Sequence, residues 1–139
     1  MKILFVCWAN VGRSQMAASF YNHLTHTKDA DSAGTDVEMP DETLGDRRKR
    51  RGGTFVIEAM AEEGIDISSN VKTQLTQEML EKYDQVISMA DAQYTPSWLS
   101  SSPRYISWVI EDPGGKGLPE TIEARDKIKA KVVEYLSMR

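Results

Sequence analysis

Residues 2–6, KILFV, place four apolar residues in a row with no polar alternation. A strand wet on one face alternates, whereas one covered on both faces reads as a continuous apolar run. A helical pattern follows at once: in SQMAASFYNHL, Met16, Ala17, Phe20, Tyr21 and Leu24 recur on one face. A buried strand leading directly into an amphipathic helix asks for a parallel sheet with helices packed over it. The rest of the chain keeps that alternation. A short strand around Asp31–Ala33 ends at Gly34, and a helix over TFVIEAMAEEG is stopped by Gly64. IDI is extended and TQEMLEKY is a short helix. Residues 85–89, QVISM, make a second buried strand, PSWLS a helical turn, and residues 105–109, YISWV, the last strand. Residues 120–138 form a final helix with Ala124, Ile128, Val132, Tyr135 and Leu136 facing inward. The polar segment from Asp36 to Gly53, holding Pro40, Gly45 and the run DRRKRR, is expected to be a surface loop, as is EDPGGKG at 111–117.

At 139 residues the chain is expected to form one domain over 1–139. A formal net charge of −4 argues against nucleic acid as a partner. No apolar stretch is long enough to span a bilayer, so no membrane partner is expected. The single cysteine cannot form an intramolecular disulfide, so nothing demands an oxidising compartment, and a cytoplasmic location is the default expectation. His23 and His26 are the only histidines and read as surface residues; no metal site and no cofactor are expected.

In α/β sheets, ligands bind beyond the carboxyl ends of the strands. The stretch VCWANVGRS, residues 6–14, lies there and holds the lone cysteine, Cys7, and an arginine, Arg13, six positions on. If residues 7–13 turn onto a helix N-terminus, the amides of Trp8, Ala9, Asn10, Val11, Gly12 and Arg13 have no helical acceptors and can face one concavity. The helix dipole adds positive potential there, and a tetrahedral oxyanion suits such a nest. Arg13 can clamp two oxygens with its planar fork. Ala9 and Gly12 allow close approach, and Asn10 tolerates a left-handed backbone. The same field favours a thiolate over a thiol. With the Ser14 hydroxyl placed to donate to its sulfur, Cys7 is expected to be an ionised nucleophile aimed at the bound anion. The competing reading is a small buried cysteine at a strand end. A transfer from an ester oxygen to sulfur also needs a proton for the leaving group. Asp112 in EDPGG is the candidate acid, against a plain turn residue before Pro113, with Glu111 as the other possible acid. The DRRKRR run is either a solvated face or a dock for acidic substrates beside the pocket rim.

Taken together, VCWANVGRSQMA, SAGT at 32–35, EEGIDIS at 62–68, QLT at 74–76, YDQVISM at 83–89 and the DP pair at 112–113 resemble the low-molecular-weight protein-tyrosine phosphatases and the thioredoxin-coupled arsenate reductases that share their fold. The resemblance implies a three-layer α/β/α fold with a four-stranded parallel sheet in the order 2-1-3-4. It implies Cys7 as nucleophile, Arg13 as phosphate clamp, Asp112 as general acid, and a network of Asn10, Ser14 and Ser32 holding the loop from Trp8 to Ser14. The implied activity is a metal-independent, phosphotyrosine-type phosphatase working through phosphocysteine. Its partners would be a phosphorylated protein or small aryl phosphate, with inorganic phosphate, sulfate or arsenate as loop ligands. The second reading is an arsenate reductase served by an external thiol, and the third an inactive oxyanion-binding module. Four departures stand out. Ala9 replaces a usual glycine. Gly12 stands where a second, protective cysteine is common, and Ala90 where a relay cysteine of the reductases is expected. Gly114 and Gly115 follow the DP pair, where the phosphatases often carry an aromatic wall, so Trp8 or the 36–53 segment would have to supply one.

Overall fold

The computed structural model describes residues 1–139. Strand β1 is Ile3–Cys7, followed by helix α1, Arg13–Thr25, and strand β2, Ala30–Gly34. Two short helices, α2 at Leu44–Arg50 and α3 at Val56–Ala61, precede a 3-10 segment at Gln77–Lys82 and strand β3, Gln85–Ser88. A 3-10 turn at Ala92–Tyr94, helix α4 at Ser97–Ser100, strand β4 at Tyr105–Ser107 and the long helix α5 at Leu118–Met138 complete the chain. The strands form one parallel sheet in the order β2-β1-β3-β4. All five residues of β1 are buried, which is why its sequence carries no alternation. Its odd-numbered residues Ile3 and Phe5 pack with α1, α3 and α5 side chains such as Phe20, Met60 and Ile128. Its even-numbered residues Leu4 and Val6 pack on the other face with Leu75, Leu80 and Leu99. No helix is long and apolar enough to cross a membrane.

The chain leaves β1 toward β2 on one side and returns to β3 on the other, so the strand order reverses beside β1. A crevice opens at the carboxyl ends of strands at such a point. Cys7 ends β1 there, opposite Gly34 of β2.

Among the differences from the sequence expectation, two bear on the site. The last strand is shorter: Trp108 turns into the core against Phe5, with ring centroids 5.7 Å apart, while Val109 is 93% exposed. The segment from Asp36 to Gly53 is not all loop, because its second half is α2. Thr43 caps that helix, its Oγ1 accepting from the Asp46 amide at 3.1 Å. The helix has few apolar anchors and is fastened by charge. Lys72, 1% exposed, pairs with Glu42 at 2.8 Å and also donates to the Glu38 carbonyl. Arg50 then bridges Glu42 at 2.8 Å and Glu38 at 2.7 Å.

Arg50 and then Lys72 hold the Glu42 carboxyl down to about 2, below its ordinary value of 4.5. A carboxyl that binds its proton less readily when folded adds stability above its unfolded value and loses it as pH falls through the folded one. Urea unfolding midpoints are therefore expected to drop between pH 4.5 and about 2, and Glu42→Gln should flatten that part of the profile. An unchanged slope in the variant would show that Glu42 is not the titrating anchor.

Candidate active site

The loop after β1 is held from below by the strand beside it. The Cys7 and Trp8 carbonyls accept from the amides of Thr35 and Asp36, both at 3.0 Å. A Cβ on Gly34 would stand 2.7 Å from the Trp8 carbonyl oxygen and 2.9 Å from the Asn10 amide, so only glycine lets strand and loop meet here.

Asn10 is fully buried and left-handed, with φ 58°. The Thr73 amide points at its side chain at 2.7 Å. A backbone N–H only donates, so the atom facing it is Oδ1, and the Nδ2 amino group must face the other way. There it donates to Ser14 Oγ at 2.7 Å and Ser32 Oγ at 3.0 Å. Ser14 Oγ, already accepting from Asn10, lies 3.0 Å from Cys7 Sγ. Its own proton is free for the sulfur, an arrangement that suits a thiolate acceptor. Gln15, 2% exposed, adds a brace, donating to the Asn10 carbonyl at 3.1 Å and the Val71 carbonyl at 3.0 Å.

Helix α1 starts at Arg13, with Gly12 as its N-cap and no side-chain cap. The amides of that first turn therefore stay free of intrahelical partners. The Arg13 guanidinium is 3% exposed. Its Nη1 donates to the carbonyls of Met89 at 2.5 Å and Ile110 at 2.9 Å, beyond the ends of β3 and β4. With Nη1 anchored, Nε and Nη2 remain for an oxyanion. Asp112 Oδ2 lies 3.6 Å from Nη2 and Asp91 Oδ1 lies 4.0 Å from Nη1.

Cys7, Trp8, Ala9, Val11, Gly12, Arg13 and Asp112 line one pocket of about 260 Å³. Asn10, Ser14 and Ser32 sit behind it as the network just described. Asp112 is held in aim by its own turn, Oδ1 accepting from the Gly114 amide at 2.8 Å. Glu111 is outside the pocket lining and pairs with Lys116 at 2.5 Å, which holds its carboxyl below the usual range. A carboxyl so held is a poor proton donor, which favours Asp112 over Glu111. Trp8 stacks on Tyr94, with centroids 4.4 Å apart and planes 15° from parallel, and forms one wall of the pocket. No group of three or more His, Cys, Asp or Glu is placed to hold a metal ion.

Several contributors lie outside the sequence reading: Gln15, Thr73, Asp91, Tyr94 and Thr54; Arg47, Arg51 and Gly53 belong to the segment it sets at the pocket rim. Only the buried polar residue Gln15, inside an apolar helix face, carried a local signal.

A cysteine at the end of a central parallel strand, a buried arginine at the following helix start and a carboxylate across the pocket define the cysteine-based phosphatase and arsenate reductase class. The chain belongs to the low molecular weight phosphotyrosine protein phosphatase family, whose model matches residues 2–138. It is 33% identical over 135 residues to arsenate reductase 1 of Staphylococcus haemolyticus, covering 96% of this chain and 92% of that one. Its fold resembles the low molecular weight protein tyrosine phosphatase of T. tengcongensis, with a TM-score of 0.80 and 22% identity over 100% of this chain and 99% of that one. It also resembles an arsenate reductase solved in the phosphate-binding state, with a TM-score of 0.76 and 28% identity over 99% and 98% of the two chains.

Proposed function

We propose that the protein hydrolyses phosphomonoesters of the phosphotyrosine type through a phosphocysteine on Cys7. The observation that carries this reading is the pocket itself: a sulfur facing the Ser14 hydroxyl, the Arg13 fork and the Asp112 carboxyl together, in a chain with no second cysteine. The ester binds with its phosphoryl oxygens on the free loop amides and on Nε and Nη2 of Arg13. The Cys7 thiolate attacks phosphorus, the phosphorus–oxygen ester bond breaks, and Asp112 gives its proton to the leaving oxygen. Water then attacks the phosphocysteine, Asp112 takes its proton, and orthophosphate leaves with Cys7 restored as thiolate.

The names of the sequence relatives favour a second reading, arsenate reduction. Taking As(V) to As(III) requires two electrons, which two thiols supply by becoming a disulfide. Cys7 is one thiol. Ala90 and Gly12 offer no other, so the second must come from an external thiol such as glutathione or mycothiol. Parallel kinetics in EDTA on p-nitrophenyl phosphate, a phosphotyrosine peptide and arsenate plus thiol decide between the readings. Turnover of both esters with negligible arsenate-dependent thiol oxidation is expected. The reverse pattern replaces hydrolysis with reduction, and binding without any turnover leaves an oxyanion-binding module.

The missing second cysteine has its own consequence. A Cβ on Gly12 would meet nothing within 4 Å, so a cysteine fits there without displacing a neighbour. After long peroxide exposure, the wild type is expected to stay inactive under dithiothreitol, its sulfur carried past the sulfenic acid. Gly12→Cys is expected to recover by trapping the sulfenate as a disulfide. Full recovery of the wild type, with no thiol adduct or sulfenamide in the mass spectrum, would contradict this.

A further inference from the structure

The five consecutive basic residues 47–51 are not equivalent once folded. Arg48 pairs with Glu58 at 2.5 Å, and Arg50 with Glu42 and Glu38 at 2.8 and 2.7 Å. Arg51 shares Glu38 at 3.1 Å, and Lys49 faces solvent. Arg47 has no carboxylate within ion-pair distance; its Nη1 donates to the Gly52 carbonyl at 3.1 Å. Arg47 and Arg51 are four apart and line the same pocket as Cys7, Arg13 and Asp112. Both also line the groove that continues past Trp8 and Val11 to Asp36, Glu38 and Lys72. The charged lining of the reaction pocket is thus three arginines against one carboxylate, in a chain whose net charge is −4. Burial and the neighbouring Arg51 charge disfavour the Arg47 cation, so an incoming anion relieves an existing tension. The Glu38 charge offsets this only in part, because its hydrogen bonds go to Arg50 and Arg51. The Lys72, Glu42, Arg50 and Glu38 chain fixes α2, and with it the direction in which these two guanidiniums face.

We infer that Arg47, supported by Arg51, forms a second anion subsite, and that the preferred substrate is a phosphomonoester carrying a further carboxylate or phosphate beside the scissile group. Gly114 and Gly115 bring no side chain to the rim beside Arg51, where the Gly115 amide donates to the Gly53 carbonyl at 3.2 Å, so charge at this rim adds discrimination to the aromatic wall of Trp8. The inference rests on the phosphomonoesterase reading for turnover, and on the geometry alone for binding.

The test compares matched pairs in wild type and Arg47→Ser/Arg51→Ser. One pair is a phosphotyrosine peptide flanked by glutamates or by alanines, the other a phenyl phosphate with or without a ring carboxylate. Wild type is expected to favour the acidic member by about tenfold in kcat/KM at low salt, declining as salt screens the rim. The ratio should fall to near one in the double variant. Preference in the peptide pair alone assigns the subsite to protein substrates, and in both pairs to any second anion. Calorimetric binding of the same four compounds to Cys7→Ser separates the two layers. Tighter acidic binding without wild-type turnover sustains the subsite and removes the hydrolase. Turnover with equal kcat/KM for each pair, or a preference that survives in the double variant or in high salt, overturns the subsite.

Discussion

Cys7→Ser is expected to lower turnover of p-nitrophenyl phosphate by at least about ten-thousand-fold, the scale of losing a nucleophile in a covalent mechanism. The same variant should still bind phosphate or vanadate. The two results belong together, because in the proposed mechanism the groups that grip the anion are separate from the atom that attacks it. The grip comes from the unpaired amides at the start of α1 and from Arg13, whose Nη1 is anchored on the Met89 and Ile110 carbonyls whatever occupies position 7. Serine retains an oxygen facing Ser14, so the braced loop keeps its shape, but an alcohol is scarcely ionised at neutral pH and cannot replace the thiolate. Calorimetry with phosphate, run beside the activity assay, checks both halves. A variant that neither turns over nor binds would mean that the sulfur holds the loop together rather than performing chemistry in it.

Asp112→Asn is expected to lose activity in proportion to how badly the leaving group needs a proton. Asparagine keeps the Oδ1 acceptor that the Gly114 amide uses, so the turn at 112–114 is preserved while the transferable proton is lost. On phenyl or alkyl phosphates the cost should be about a hundred- to ten-thousand-fold in kcat/KM, which reports only the steps through loss of the leaving group. On p-nitrophenyl phosphate, whose leaving oxygen is already stable as an anion, it should be much smaller. A plot of log kcat/KM against leaving-group acidity should be nearly flat for wild type and steep for the variant. Equal losses across the series would assign Asp112 to holding Arg13, 3.6 Å away, and not to proton transfer.

What could be read from the sequence was whatever lies close together along it. The unbroken run of β1, the helix behind it and the loop between them are contiguous, so Cys7, Arg13 and Ser14 declare themselves as one unit. The four-stranded order followed from a resemblance spread over nearly the whole chain. Beyond the Asn10, Ser14 and Ser32 network that the resemblance implied, the supports of the loop were not visible, because they come from distant segments joined only by the sheet: the Thr73 amide that orients Asn10, and Tyr94 beneath Trp8. Helix α2 was hidden for another reason. Pro40 and Gly45 are breakers and DRRKRR has no apolar period, so nothing local distinguishes it from loop. What fastens it is Lys72, a lysine buried far along the chain by a carboxylate partner. The reach of Arg47 and Arg51 into the pocket follows from that fastening and from no local pattern.

The most direct measurement is an acid quench of the enzyme during steady-state hydrolysis of an aryl phosphate, followed by mass spectrometry of the peptide containing residue 7. The expected result is one added phosphoryl group on the Cys7 sulfur, formed as fast as the phenol is released and absent from Cys7→Ser. Sustained turnover with that sulfur never phosphorylated, or with the phosphoryl group on a different side chain, would contradict the mechanism.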